Sequence, residues 1–389
     1  MGGDLNSPPV GKEKRKYRKV RQIVNLSDPL FCFQRRKSVC RSWKENGGIS
    51  FPLYLADPVH LNYLTGFWVD PFSLGAGFGA ILQLNEDGTG ILTHHDRLPE
   101  ELEGIVSEGC GLTRVVAPWY DGVHAPKGIR GLSMLPAGFS GRIHDLANDP
   151  DAPGLFATIE NLRRSKYPDE LALIRRAIAA QEAGHIWARN TIQPGMTELE
   201  VYAGVAKATT LSAGRAVVTY GDFAVSSGPE RKGGPPTRQV LNEGDLFILD
   251  FSVVLCGYRG DFTTTLAVGT PSDYAREMMR LCLLAMSAGE KELFAGNQAR
   301  TVHAAVNEVF QKAGVDQWFG HHAGHGLGLT HPEAPFFVAD SKDVLQVNDV
   351  VTLEPGLYIP GQGGMRIERN YRIGQVGMER LSHHRIEFN

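Results

Sequence analysis

The chain has 389 residues, 42% of them hydrophobic and 21% charged, with a formal net charge of −3. That length supports two domains, each with its own core. The near-neutral balance argues against a nucleic-acid partner, no stretch approaches the roughly 20 apolar residues that span a bilayer, and the polar N-terminus lacks the apolar segment of a secretory signal.

Five scattered cysteines, odd in number and without a C-x-x-C pair, read as reduced thiols of a cytoplasmic protein. Residues 1–29 are expected to form a flexible tail, whose stretch Lys12–Arg21 carries seven basic residues. From Phe31 to Glu45 the pattern is helical, and Asn46-Gly47-Gly48 ends it. Residues 49–68 read as strand, turn and short helix. Residues 76–94 read as a hairpin around Asn85-Glu86-Asp87-Gly88. A small α/β domain is therefore expected over 30–162, with a boundary in "LRRSKYPDELALIRRA".

A second domain is expected over 163–389. Pro168 suits a first helical turn, with Asp169 and Glu170 favourable beside it. Pro194-Gly195 turns the chain, and Thr197 and Glu200 have capping-box spacing for the next helix. Strands follow, then helices near 273–294 and 300–313, then a strand-rich end. The fold class is α/β (α+β).

"DFSVVLCGYRGDFT" (250–263) sets Asp250 inside an apolar run and Asp261 eleven positions later. A turn near Cys256-Gly257 makes the stretch a β-hairpin. The two aspartates then lie directly opposite, with Cβ atoms about 4.5–5.5 Å apart, or diagonal after a small register shift. Like charges at that range repel, and burying one alone costs several kcal/mol. A cation between them removes the conflict. "GHHAGHGLGLTHPEAP" (320–335) packs four histidines among glycines that allow close backbone approach. "VVTLEPGLY" ends an apolar strand in Glu354, and "GGMRIERNYRIG" places Glu368 in another strand. Four such carboxylates and an imidazole suit two divalent cations. Mostly oxygen ligands without thiolate favour Mn²⁺ or Co²⁺, with Zn²⁺ or Fe²⁺ next.

These motifs, in this order, resemble the Xaa-Pro aminopeptidase, prolidase and creatinase family. The resemblance covers most of residues 30–389. It implies a creatinase-like N-terminal α/β domain followed by a C-terminal pita-bread domain. It also implies a dinuclear site. Asp250 would bind one metal, Asp261 and Glu368 would bridge both, and His325 and Glu354 would complete the second. A metal-bridging hydroxide would attack the carbonyl. Glu354 would carry a proton to the leaving amine, His331 would steady the intermediate, His321 would shape the pocket, and Arg366 would orient the carboxylates. A homodimer is implied too, with exposed aromatics such as Trp68 and Phe72 as candidates for its rim.

Two departures stand out. The family's loop histidine after Ser-Gly-Pro is missing from "SSGPERKGGPPTRQVLNEGD" (226–245), and His331 comes one position early. The expected function is metal-dependent hydrolysis of Xaa-Pro peptides or dipeptides. The missing histidine keeps a second reading open: a hydrolase or lyase of a small amide or osmolyte-like compound.

Overall fold

The computed structural model describes residues 27–48, 50–69, 71–72, 80–95, 105–117, 123–124, 134–135 and 141–388. The basic stretch Lys12–Arg21 lies outside them, as do residues 76–79 of the first expected hairpin. Among the described residues no helix is long and apolar enough to cross a membrane.

The N-terminal segment opens with helix α1 (Pro29–Glu45), where the Asp28 side chain caps the Leu30 amide. Strand β1 (Leu53–Leu55), helix α2 (Pro58–Thr65), and strands β2 (Ala80–Leu84), β3 (Gly90–His95) and β4 (Leu112–Ala117) follow. The four strands form one sheet in the order β1-β2-β3-β4. The β2–β3 hairpin closes with Leu84 opposite Gly90, as the Asn-Glu-Asp-Gly turn predicts. The short pair β5 (Val123–His124) and β6 (Met134–Leu135) and helix α3 (Leu155–Leu162) complete this part.

Helix α4 (Pro168–Thr191) starts on Pro168 with Asp169 and Glu170 in its first turn. Helix α5 (Glu198–Ala213) carries the Thr197–Glu200 capping box, each residue bonding back to the other's backbone amide. Both helices cover the antiparallel sheet β7 (Val218–Val225), β8 (Leu246–Leu255) and β9 (Tyr258–Ala267). Two-sided burial explains why β8, apart from Asp250 and Ser252, is apolar rather than alternating. Cys256 and Gly257, both at positive φ, make the tight turn between β8 and β9. Gly257 has to lack a side chain, because a Cβ there would sit 2.4 Å from Asn62 Nδ2.

Helices α6 (Asp273–Glu290) and α7 (Ala299–Lys312) precede a second sheet. It is built from β10 (His325–Gly326), β11 (Glu333–Phe336), β12 (Val350–Leu353), β15 (Arg369–Ile373) and β16 (Met378–Arg380). The hairpin β13 (Gly356–Ile359) and β14 (Gly363–Arg366) lies between β12 and β15 in the chain. One apolar cluster joins the N-terminal sheet to α4, β8 and β9, and a second joins α6 and α7 to the later strands.

Side chains also tie the N-terminal segment to the rest. Asn62 Nδ2 donates to Cys256 O at 2.9 Å, Tyr63 Oη donates to Leu162 O at 3.1 Å, and buried Arg35 pairs with Asp169. Phe72 is exposed, whereas Trp68 is half-buried against the first apolar cluster.

Candidate metal centre

The β8–β9 register settles where the two aspartates sit. Leu255 faces Tyr258, so Asp250 faces Thr263 and Asp261 faces Ser252. The aspartates are diagonal neighbours, two positions out of direct opposition, because the turn takes Cys256 and Gly257 rather than centring between 255 and 256. Even spacing still puts both on one sheet face.

Glu354 and Glu368 lie just past strand ends rather than inside strands, a correction to the sequence reading for Glu368. Glu354 follows β12, and its amide donates to Ala323 O at 2.9 Å. Glu368 occupies the two-residue crossing from β14 to β15. Its amide donates to Thr263 O at 3.1 Å, and the Ile367 amide donates to Pro355 O at 3.2 Å. Those bonds satisfy the backbone where the chain leaves one ladder for another. His325 begins β10 and is buried. The adjoining Gly-Leu-Gly-Leu packs Leu327 and Leu329 into the first apolar cluster.

The five side chains converge. Single oxygens of Asp250, Asp261 and Glu368 lie within 4.8 Å of one another, and so do ligand atoms of His325, Glu354 and Glu368. Glu368 belongs to both triads. Three hydroxyls serve these carboxylates: Ser252 Oγ donates to Asp261 Oδ1 at 3.0 Å, Thr263 Oγ1 to Glu368 Oε2 at 2.6 Å, and Thr352 Oγ1 to Glu354 Oε1 at 3.3 Å. The cleft above them holds about 270 Å³ and is lined also by Tyr220, Asp222, His322, His331 and Arg366.

Charge in this cluster is unbalanced. Burial pushes Asp250 up to about 7, with Asp261, Asp222 and Glu354 adding to the shift and Arg366 opposing it. Burial, with Asp261, Glu354 and Asp250 beside it, pushes Glu368 well above the usual carboxylate range. Its Oε1 is buried and accepts no hydrogen bond. For Asp261, burial is outweighed by His331, whose Nε2 lies 2.7 Å from Oδ2, and its carboxyl sits below the usual range. Glu354 is also held low, the histidines around it overcoming burial.

His325 supplies the sharpest clue. Its Nδ1 is 2.9 Å from Gly326 O, and a carbonyl only accepts, so Nδ1 carries the proton. Burial pushes the imidazole's pKa down, so the ring is neutral. The bare Nε2 lone pair then faces Asp261 Oδ2 and Glu354 Oε1, each at 3.6 Å. Nε2 carries no proton for either oxygen, so these three lone pairs repel one another unless a cation lies between them. The residues therefore fit a divalent metal, and fit two, because Glu368 is shared.

The remaining predicted residues are near but differently placed. His331 stands at the rim against Asp261. Arg366 Nη2 lies 2.5 Å from both Asp250 Oδ2 and Asp222 Oδ2, and Nη1 donates to Tyr358 Oη at 2.9 Å. His321 is not part of the cleft lining. It packs edge-on to Phe319 and Tyr358, and burial lowers its pKa to about 4. Its neighbour His322 faces the cleft instead, with Nδ1 3.2 Å from Glu354 Oε1. Lys232, in the loop that lacks the family's histidine, reaches Gly320 O at 3.2 Å and the Tyr358 ring. Asp222 had no sequence signal, since one aspartate in a half-exposed strand is unremarkable until its neighbour strand is known.

The sequence pattern of metallopeptidase family M24 matches residues 172–375, more than half of the chain. The chain belongs to metallopeptidase family M24. Among its relatives, a probable dipeptidase PepE of Mycobacterium tuberculosis is 32% identical over 271 residues, covering 68% of this chain and 67% of the relative. An Xaa-Pro dipeptidase of Pyrococcus horikoshii is 28% identical over 263 residues, 66% of this chain and 74% of that one. Among solved structures, an Xaa-Pro dipeptidase from Bacillus anthracis superposes with a TM-score of 0.70 at 23% identity, covering 92% of this chain and all of its own (100%). A prolidase from Pyrococcus horikoshii gives 0.69 at 21% identity, with 91% and 99% covered. The fold of this M24 chain is thus that of the prolidases, and the chain is a metallopeptidase.

Proposed function

We propose that this M24 chain hydrolyses peptides with proline after the N-terminal residue, or Xaa-Pro dipeptides, at two divalent cations held by Asp250, Asp261, His325, Glu354 and Glu368. The supporting observation is Glu368, a buried carboxylate shared by two ligand triads with one oxygen left unpartnered. When bound, the cations would make water nucleophilic near neutral pH and polarise the scissile carbonyl. The oxygen-rich set with one imidazole favours Mn²⁺ or Co²⁺, then Zn²⁺ or Fe²⁺.

The chain's own groups have separate tasks. Glu354 sits beside His322 and His325, takes the proton released by the attacking water and delivers it to the leaving nitrogen. His331 at the rim donates to the oxygen that becomes negative. Arg366 holds Asp250 in place. His321, behind the cleft, fixes the wall with Tyr358. The protein works in the cytoplasm as a homodimer, with exposed Phe72 at the partner-facing rim.

The test is release of the N-terminal amino acid from a panel of Xaa-Pro peptides by the Mn²⁺- or Co²⁺-loaded chain. Turnover that disappears with EDTA and returns with metal supports the proposal. No turnover by a fully loaded chain removes it. A second reading rests on the loop 226–245, which carries no imidazole and whose Lys232 reaches Gly320 O and the Tyr358 ring rather than the cleft lining. Turnover of small amides or osmolyte-like compounds, with peptides inert, would select a non-peptidase hydrolase or lyase.

A further inference from the structure

Arg366 lies between two carboxylates, and only one belongs to the proposed ligand set. Asp222 and Asp250 are register partners on the antiparallel strands β7 and β8. Their charges would repel across the short gap between paired strands. Instead each presents Oδ2 to the same guanidinium nitrogen, Nη2, at 2.5 Å. The other oxygen of Asp222 accepts from the Gly234 amide at 2.9 Å. Asp222 therefore ties the 226–236 loop to Arg366 and, through it, to the metal centre.

The surroundings are shaped for this carboxylate. A Cβ on Gly233 would fall 2.0 Å from Asp222 Oδ2, so a bare glycine leaves it room. Gly221 has φ +147°, and a Cβ there would fall 2.3 Å from Asp250 O, so glycine also lets β7 close on β8 at this point.

A guanidinium facing a lone carboxylate tends to bind both its oxygens in a fork, which would cap the group against a metal. We propose that Asp222 is a positioning residue that shares Arg366 Nη2 with Asp250 and so keeps one Asp250 oxygen available to a divalent cation. This rests on the function proposed above, since it presumes that Asp250 is a ligand. Asp222 touches neither substrate nor metal in this scheme. It acts only through Arg366.

The experiment is Mn²⁺ titration of the metal-free full chain, followed by catalysis at limiting and saturating Mn²⁺. Asp222→Asn keeps the acceptor for Gly234 but loses the charge that attracts Arg366. It should bind Mn²⁺ about 10–100-fold more weakly, the range typical when a partner of a ligand is lost, and saturating Mn²⁺ should restore kcat. Gly233→Ala changes no residue of the site but pushes Asp222 off Arg366, and should weaken Mn²⁺ binding in the same direction. It also keeps the test alive if Asp222→Asn fails to fold. Wild-type Mn²⁺ affinity in either variant overturns the inference. A wild-type chain that takes up no Mn²⁺, Co²⁺, Zn²⁺ or Fe²⁺ overturns it together with the proposed function, and that result comes from a different sample.

Discussion

Two glutamates in this protein, one largely and one fully buried, meet opposite fates. Glu333 is ringed by the chain's own cations: Lys166 Nζ at 2.5 Å from Oε1, Arg163 Nη2 at 2.9 Å from Oε2, and the Thr330 hydroxyl at 2.8 Å. Burial alone would raise its pKa, but Lys166 and Arg163 overcome that and hold the carboxyl at about 2. Glu368 is buried more deeply, faces other acids, and among the described residues has one threonine hydroxyl as its side-chain hydrogen-bond partner. Its pKa moves the other way. A fold neutralises a buried acid with internal cations when the acid is structural. It leaves one uncompensated when a cation from outside is meant to arrive.

The largest expected effect falls on the uncompensated side. Glu368→Gln or Asp250→Asn should lower kcat/KM by more than about 100-fold, beyond what losing a ligand's partner costs, while the metal-free chain still folds. The sign of the stability change follows from the raised pKa. Glu368 gives the metal-free fold stability that is present below about pH 4.5 and drains away as the pH rises. At pH 7 the glutamine variant should therefore melt no lower than wild type. A clearly lower melting temperature would show that Glu368 is compensated after all.

Glu333→Gln should do the reverse. A pKa held at about 2 against 4.5 stabilises the fold above pH 4.5 by on the order of 3 kcal/mol, and that contribution disappears as pH falls toward 2. The variant should lose it at neutral pH and show a flatter acid limb between roughly pH 4.5 and 2 in urea titrations. Next in size is the metal itself. Mn²⁺ at 100 times its Kd should stabilise the wild-type chain by about 2.7 kcal/mol, and Glu368→Gln by much less. The smallest effect marks the baseline. Lys44 and Glu86 form an exposed pair, and Lys44→Ala should change stability by less than about 0.5 kcal/mol.

Much of the candidate metal centre was legible because its groups are local interruptions of strong patterns. Asp250 breaks an apolar strand, Glu354 ends one, and the histidines stand among glycines. The β8–β9 hairpin could be read from its turn, and its register was uncertain only by the placement of two residues. Long-range pairing was not legible. Asp222 matters only because β7 lies beside β8 with those two positions matched. Glu333 draws its cations from residues 163 and 166, across the chain from its own loop. The i, i+4 spacing from His325 drew attention to His321, but the backbone turns His322 toward the cleft instead. The crossing at Ile367–Glu368 looked like continuous strand because its residues are apolar and charged in alternation. Only the switch between ladders reveals the break.

The most direct test counts bound metal in the Mn²⁺-loaded wild-type chain and in Glu368→Gln after identical removal of free ion. Two ions per wild-type chain, with one or both missing from the variant, is the expected result. A wild-type chain without bound ion, or a variant that keeps the full complement, would contradict it.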